Sequence, residues 1–429
     1  MFWSFAIYAL CFSSARGFVA PSNQLFNRQR VLAIHANPDA TFTDLATVEA
    51  EIRSMRVKEI KAELAKLNVS SQDAFEKEEL VQRLLKARRN DSKKVKEMFS
   101  KTPDTDESSH LITVPLYFAS LNSDLKVAAV NMDGGIRVNP SDQPYATIEI
   151  QVENDNGEIF SLRLLLDTAC SGFVLRPSIV DKYDLPKLST PVTMTSAGGT
   201  AGATGLTQLS KYSLGNQSFG PLPAAVQDIG ALPKTLDGII GLSFLSQFSV
   251  VDMDFKNGKV SFYPTSSPQP VDPNPETMVA KGSMEIIPQL GIYTTDVYLG
   301  SRGPVKMLVD SGAACSFLNW NGVEQLGIDR NDNSFLQRLP NPTAAMGSDN
   351  VAMQLTHRIY VSSVLKIGTG TGLSLKDSKR LGIDIGNIAI IDSLRGQNVG
   401  GILGIDALMR CSSVRLIFHG AKKKIILFE

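Results

Sequence analysis

Two short segments place an aspartate where it can do chemistry: Leu164-Leu-Leu-Asp167-Thr-Ala-Cys-Ser and Met307-Leu-Val-Asp310-Ser-Gly-Ala-Ala. An Asp that ends an apolar run sits at the end of a core strand, where a lone carboxylate is costly to bury. Two such groups brought together can share one proton, one acting as base and the other as acid. Such a pair can activate water with no covalent intermediate and no metal.

The elements around the two aspartates repeat in the same order. After Asp167 come Asp237-Gly-Ile-Ile-Gly241-Leu-Ser-Phe-Leu and Val250-Val-Asp-Met-Asp-Phe-Lys-Asn-Gly-Lys-Val-Ser-Phe. After Asp310 come Gly400-Gly-Ile-Leu-Gly404-Ile-Asp-Ala-Leu and Ser413-Val-Arg-Leu-Ile-Phe-His-Gly-Ala-Lys-Lys-Lys-Ile-Ile-Leu-Phe. Each tail predicts an apolar strand, a glycine, a short helix and a hairpin of alternating strands. The chain reads as a duplicated lobe that brings two carboxylates together.

On these residues the chain resembles the pepsin and retropepsin superfamily, and more closely its retropepsin-like lobes. The likeness covers roughly 142–264 and 284–429. It implies a mainly β fold of two tandem β-barrel lobes that form an intramolecular pseudo-dimer. It also implies Asp167 and Asp310 as the catalytic pair, with Gly241 and Gly404 as the glycines of the psi-shaped loops. Thr168 and Ser311 fit the paired hydroxyls that hold the two Asp loops in register. Lobe two keeps Gly312, whereas lobe one has Ala169 where the family usually has glycine. A glycine is expected there because backbone from the opposite lobe passes close by.

Each lobe should also carry a flap, a hairpin that closes over substrate. In lobe one, Gly198, Gly199, Gly202 and Gly205 suit a mobile turn. The competing reading, a phosphate-cradling loop, fails because no Lys follows. In lobe two the segment Ala344–Asn350 takes the flap position. Neither segment has the Tyr of pepsin-type flaps, which again favours the retropepsin side.

Composition fits a globular enzyme. Charges balance at 43 against 43, so no global field draws in nucleic acid or membrane. Of the four cysteines, at 11, 170, 315 and 411, the first lies in a segment expected to be removed, which leaves no disulfide framework. The four histidines adjoin no Cys or carboxylate cluster, so neither a metal site nor a cofactor is expected.

Residues 1–17 read as a signal peptide, too short to span a membrane once in place. Residues 18–44, opening on Phe18 and free of acid until Asp39, resemble the second part of a plastid presequence of algae with secondary plastids. The expected address is the plastid stroma, with secretion as the alternative.

Residues 45–90 form a separate helical unit. Val57, Ile60, Leu64 and Leu67 share one face of a first helix, and Leu80, Val81 and Leu84 one face of a second. The pattern resembles the SAP module, which implies a DNA or protein partner, with Lys86, Arg88 and Arg89 as candidate contacts. A charged linker and entry-strand region (91–141) and a Pro-rich linker (265–283) flank lobe one. The whole suggests a monomeric aspartic endopeptidase acting on a peptide or protein substrate. Two alternatives stand beside it: an inactive peptide-binding relative, and a DNA-associated protein led by its helical module.

Overall fold

The computed structural model describes residues 4–7, 11–12, 52–66, 69–71, 76–87, 111–120, 123–126, 145–195, 201–230, 232–266, 277–288, 290–347, 352–361, 363–375, 381–420 and 422–429. Most of the presequence-like region, most of the two linkers, Leu67, Arg88, Arg89, Gly198, Gly199 and the tip 348–350 lie outside the described residues.

The fold is mainly β, in two lobes built alike. Leu164, Leu165 and Leu166 are buried throughout, as are Met307, Leu308 and Val309. Strands with apolar residues on both faces must be covered on both faces, so each of these runs becomes a central strand. In lobe one, Ile159–Leu166 pairs antiparallel with Tyr145–Glu153 and parallel with Gly238–Ile240. In lobe two, Arg302–Val309 pairs antiparallel with Ile292–Leu299 and parallel with Val399–Leu403. A parallel neighbour so distant in sequence is what threads each psi-shaped loop past its aspartate.

The lobes are joined by a six-stranded antiparallel sheet. Its order is Met278–Ile287, Lys423–Phe428, Ser413–Ile417, Val250–Asp254, Lys259–Tyr263 and Ile112–Pro115. At its centre the two C-terminal hairpins meet, with Val250 opposite Ile417 and Asp254 opposite Ser413. Asp252, half-buried, and Arg415, buried, face each other across this seam in an ion pair of 2.6 Å. One continuous set of buried apolar residues, from Ile112 to Leu427, runs through both lobes.

One boundary differs from the sequence reading: Met278–Ile287 begins inside the stretch read as linker, whereas Ile112–Pro115 and Tyr117–Ser120 fall within the region read as linker and entry strand. Met278–Ile287 lies between Ile292–Leu299 and Lys423–Phe428, and the second of these partners is far along the chain, which local pattern does not reveal.

The helical unit has its own small core of Ile52, Ile60, Leu64, Leu80, Val81, Leu84 and Leu85. Val57 is not part of it. It stands 41% exposed at the first position of the helix Val57–Lys66, and Ile52 and Met55 supply the apolar cover instead. Glu78 pairs with Arg53 and Glu79 with Arg83, so part of the acidic surface is engaged within the unit. Lys86 is exposed. Among the described residues, no helix is long and apolar enough to cross a membrane.

Candidate active site

Asp167 and Asp310 sit where the lobes meet, and both are fully buried. Each follows the last residue of its central strand, and each amide donates to the parallel neighbour: Asp167 N to Ile240 O (3.1 Å), Asp310 N to Leu403 O (3.0 Å). Just beyond, Leu242 N donates to Cys170 O (2.7 Å) and Ile405 N to Ala313 O (2.8 Å). The two loops are thus fixed by matching main-chain bonds.

The psi-loop glycines allow this approach. A Cβ on Gly241 would be driven into the carbonyl oxygens of Gly172 and Cys170, and one on Gly404 into those of Cys315 and Ala313. Both positions require glycine for space.

Thr168 and Ser311 cross the interface reciprocally. Thr168 Oγ1 donates to Val309 O (2.8 Å) and accepts from Ser311 N (3.0 Å). Ser311 Oγ donates to Leu166 O (2.7 Å) and accepts from Thr168 N (3.1 Å). Each hydroxyl uses its proton and a lone pair, and all four groups are satisfied in a buried setting.

This geometry fixes the carboxyls. Asp167 Oδ1 accepts from Ala169 N (2.8 Å), and Asp310 Oδ1 accepts from Gly312 N (2.9 Å) and Ala313 N (2.8 Å). The Oδ2 atom of each has no hydrogen-bond partner within the protein. In pepsin-type lobes a hydroxyl three residues after the Asp would serve that oxygen; here those positions are Cys170 and Ala313. The Cys170 thiol is turned to Gly172 O instead (3.3 Å).

Burial pushes both carboxyls above the ordinary Asp range, and the charge of Asp310 pushes Asp167 up further. The site therefore retains a proton at pH values where free aspartates have lost theirs. Main-chain amides favour the charged form of each carboxyl, those of Ala169 and Cys170 at Asp167 and those of Gly312 and Ala313 at Asp310, so the shared proton belongs to the pair.

The role expected of Gly312 needs correction. What lies nearest to it is the Asp167 side chain: a Cβ at 312 would come within 2.5 Å of Asp167 Cγ and Oδ2. Ala169, fully buried, is accommodated with its amide on Asp167 and the crossing hydroxyls in place.

Each lobe also carries a long hairpin at the flap position, Lys187–Thr195 with Ala201–Leu209 and Gln337–Gly347 with Ala352–Val361. Gly202 and Gly205 belong to the strand Ala201–Leu209 and not to the turn. Gly205 marks the irregularity between Thr204 and Leu206, where a residue without a side chain suits a bulge.

Sequence reasoning missed Asp406 and Ser316. Asp406 is half-buried, and desolvation pushes it up to about 6. Its signal was an acidic residue directly after an apolar-Gly-apolar strand. Among the described residues, no group of three or more His, Cys, Asp or Glu is placed to hold a metal ion.

Residues 148–244 match the family model described as "Aspartyl protease", a stretch that holds Asp167, the first hairpin and Gly241. No curated protein sequence matches the chain. Among solved structures it is similar to the crystal structure of Basic 7S globulin from soybean, at 10% identity and a TM-score of 0.42. That likeness covers 75% of this chain and 94% of the other. With one lobe matched to the family model and the second repeating its psi-loop, aspartate and hairpin, the described lobes have the aspartyl-protease fold.

Proposed function

We propose that the chain is an aspartic endopeptidase in which Asp167 and Asp310 act as one pair. The observation that carries this reading is the reciprocal bonding of Thr168 and Ser311, which sets two buried carboxyls side by side with an unbonded oxygen on each. Asp310, ionised, takes a proton from water as the water oxygen attacks the scissile carbonyl carbon. Asp167 gives its proton to the carbonyl oxygen, and a neutral gem-diol forms. As that intermediate collapses, the proton held by Asp310 passes to the amide nitrogen and the C–N bond breaks. A hydroxyl proton then returns to Asp167.

The assignment is tested by Asp167→Asn and Asp310→Asn, scored on a quenched-fluorescent peptide library. Each should abolish cleavage while the protein stays folded by circular dichroism. A mutant that cleaves like the wild type would remove the pair from the mechanism. A folded wild type that binds peptides and cleaves none would favour a peptide-binding role. The plastid address belongs to the same proposal. It predicts that a fluorescent fusion of residues 1–45 reaches the plastid of a secondary alga, whereas secretion would refute it.

A further inference from the structure

The two Asp loops are equal in length yet braced differently. Phe173 pairs with Ile240, the residue before Gly241, and Phe317 with Ile402, two residues before Gly404. Ser316 therefore occupies the place of Phe173, and Asp406 the place of Ser243. In lobe one this couple is an apolar ring and a serine whose buried hydroxyl has no partner. In lobe two it is a hydrogen-bonded bridge. Ser316 Oγ accepts from Gly404 N (3.0 Å) and donates to Asp406 Oδ1 (2.7 Å). The same carboxylate oxygen accepts from Ala407 N (2.8 Å), at the start of the short helix Ile405–Leu408.

We propose that Asp406 is a positioning residue for Asp310: through Ser316 it clamps loop 310–316 to the psi-loop and so holds the two amides that favour the ionised form of Asp310. The consequence for catalysis rests on the endopeptidase reading above. The link is short. Ile405 N holds Ala313 O, and Ala313 N in turn holds Asp310 Oδ1. If the clamp loosens, Ala313 and Gly312 drift from the carboxylate. The ionised form of Asp310 then loses support, and the titration of the pair moves up. Arg410 offsets part of the cost of burying Asp406, and the half-buried Cys315 has Asp406, Asp384 and Arg358 as its charged surroundings.

The test compares full-length Asp406→Ala, Asp406→Asn and Ser316→Ala with wild type. One readout is a 13C NMR titration of the Asp167 and Asp310 carboxyls, assigned with the two Asp→Asn variants. The other is kcat and KM on one peptide taken from the library. Losing bonds to the charged form should raise the lower titration step of the pair by about one pH unit in Asp406→Ala. The kcat should fall by about tenfold while KM stays within about twofold, the mark of an interaction made in the transition state. Asp406→Asn keeps the accepting oxygen and should restore both readouts towards wild type. Ser316→Ala should shift the titration in the same direction as Asp406→Ala, and decides the question should that variant not fold. A folded Asp406→Ala or Ser316→Ala with the wild-type titration would overturn the proposal, as would Asp406→Asn behaving like Asp406→Ala. The titration needs no turnover, so a wild type without peptidase activity would defeat the endopeptidase reading while the clamp is still decided.

Discussion

Gly312 of the second lobe lies directly against the carboxyl of Asp167 in the first, with room for a hydrogen and not for a methyl group. The pseudo-symmetric position in the first lobe carries Ala169, so the chain accepts a methyl group on one side of the pair only.

Gly312→Ala should therefore displace the Asp167 carboxyl. Cleavage should drop by about a hundredfold, the usual penalty when a reacting group moves by about 1 Å. The fold should survive, because the added group meets a side chain first. Steady-state kinetics beside a thermal melt will check this; an active Gly312→Ala enzyme would contradict the packing described.

On the endopeptidase reading, the unbonded Oδ2 atoms should set the working pH. With no hydroxyl at Cys170 or Ala313 to favour the charged form, the pair should titrate high, and activity should extend towards mildly acidic or near-neutral pH. Ala313→Ser supplies a donor and should move the optimum downward. A wild-type profile peaking in strong acid, unmoved by Ala313→Ser, would show that the third position does not matter here.

Stability should follow the same carboxyls with a definite sign. Asp167, Asp310 and Asp406 are all raised by burial, Asp406 to about 6, whereas unfolded aspartates titrate near about 4. Between those values the native state holds protons that the unfolded chain has released. The contribution is therefore complete below the unfolded value and is lost as pH rises through the folded values. Melting temperature should be higher near about pH 5 than near about pH 8, and Asp167→Asn should flatten the difference. Equal slopes in both proteins would rule out this linkage.

The seam between the lobes offers a further check. Asp252 is raised by burial even though Arg415 pulls it down, so desolvation outweighs the partner. Removing either member leaves the other charge desolvated and alone and should cost about 3–5 kcal/mol. An apolar pair, Asp252→Leu with Arg415→Met, should recover most of that loss in a denaturant titration. If the double variant is as unstable as the singles, the ion pair contributes more than mutual neutralisation.

By itself the sequence determined the duplication, the two aspartates and the psi-loop glycines. All of these are written locally, in apolar runs that must be buried and in residues with no tolerable substitute. Leu164–Leu166 and Met307–Val309 could only be central strands, and Leu80, Val81 and Leu84 only the inner face of a helix. Tertiary structure alone decided what crosses between distant segments. It paired Val250–Asp254 with Ser413–Ile417, set Gly312 on Asp167 and linked Ser316 to Asp406. It also turned Val57 outward, because helical spacing names a face but not how far the partner helix reaches along it. Hydrogen bonds and close contacts between residues far apart in the chain depend on how strands pair within a lobe and how the lobes meet, and no local periodicity encodes that.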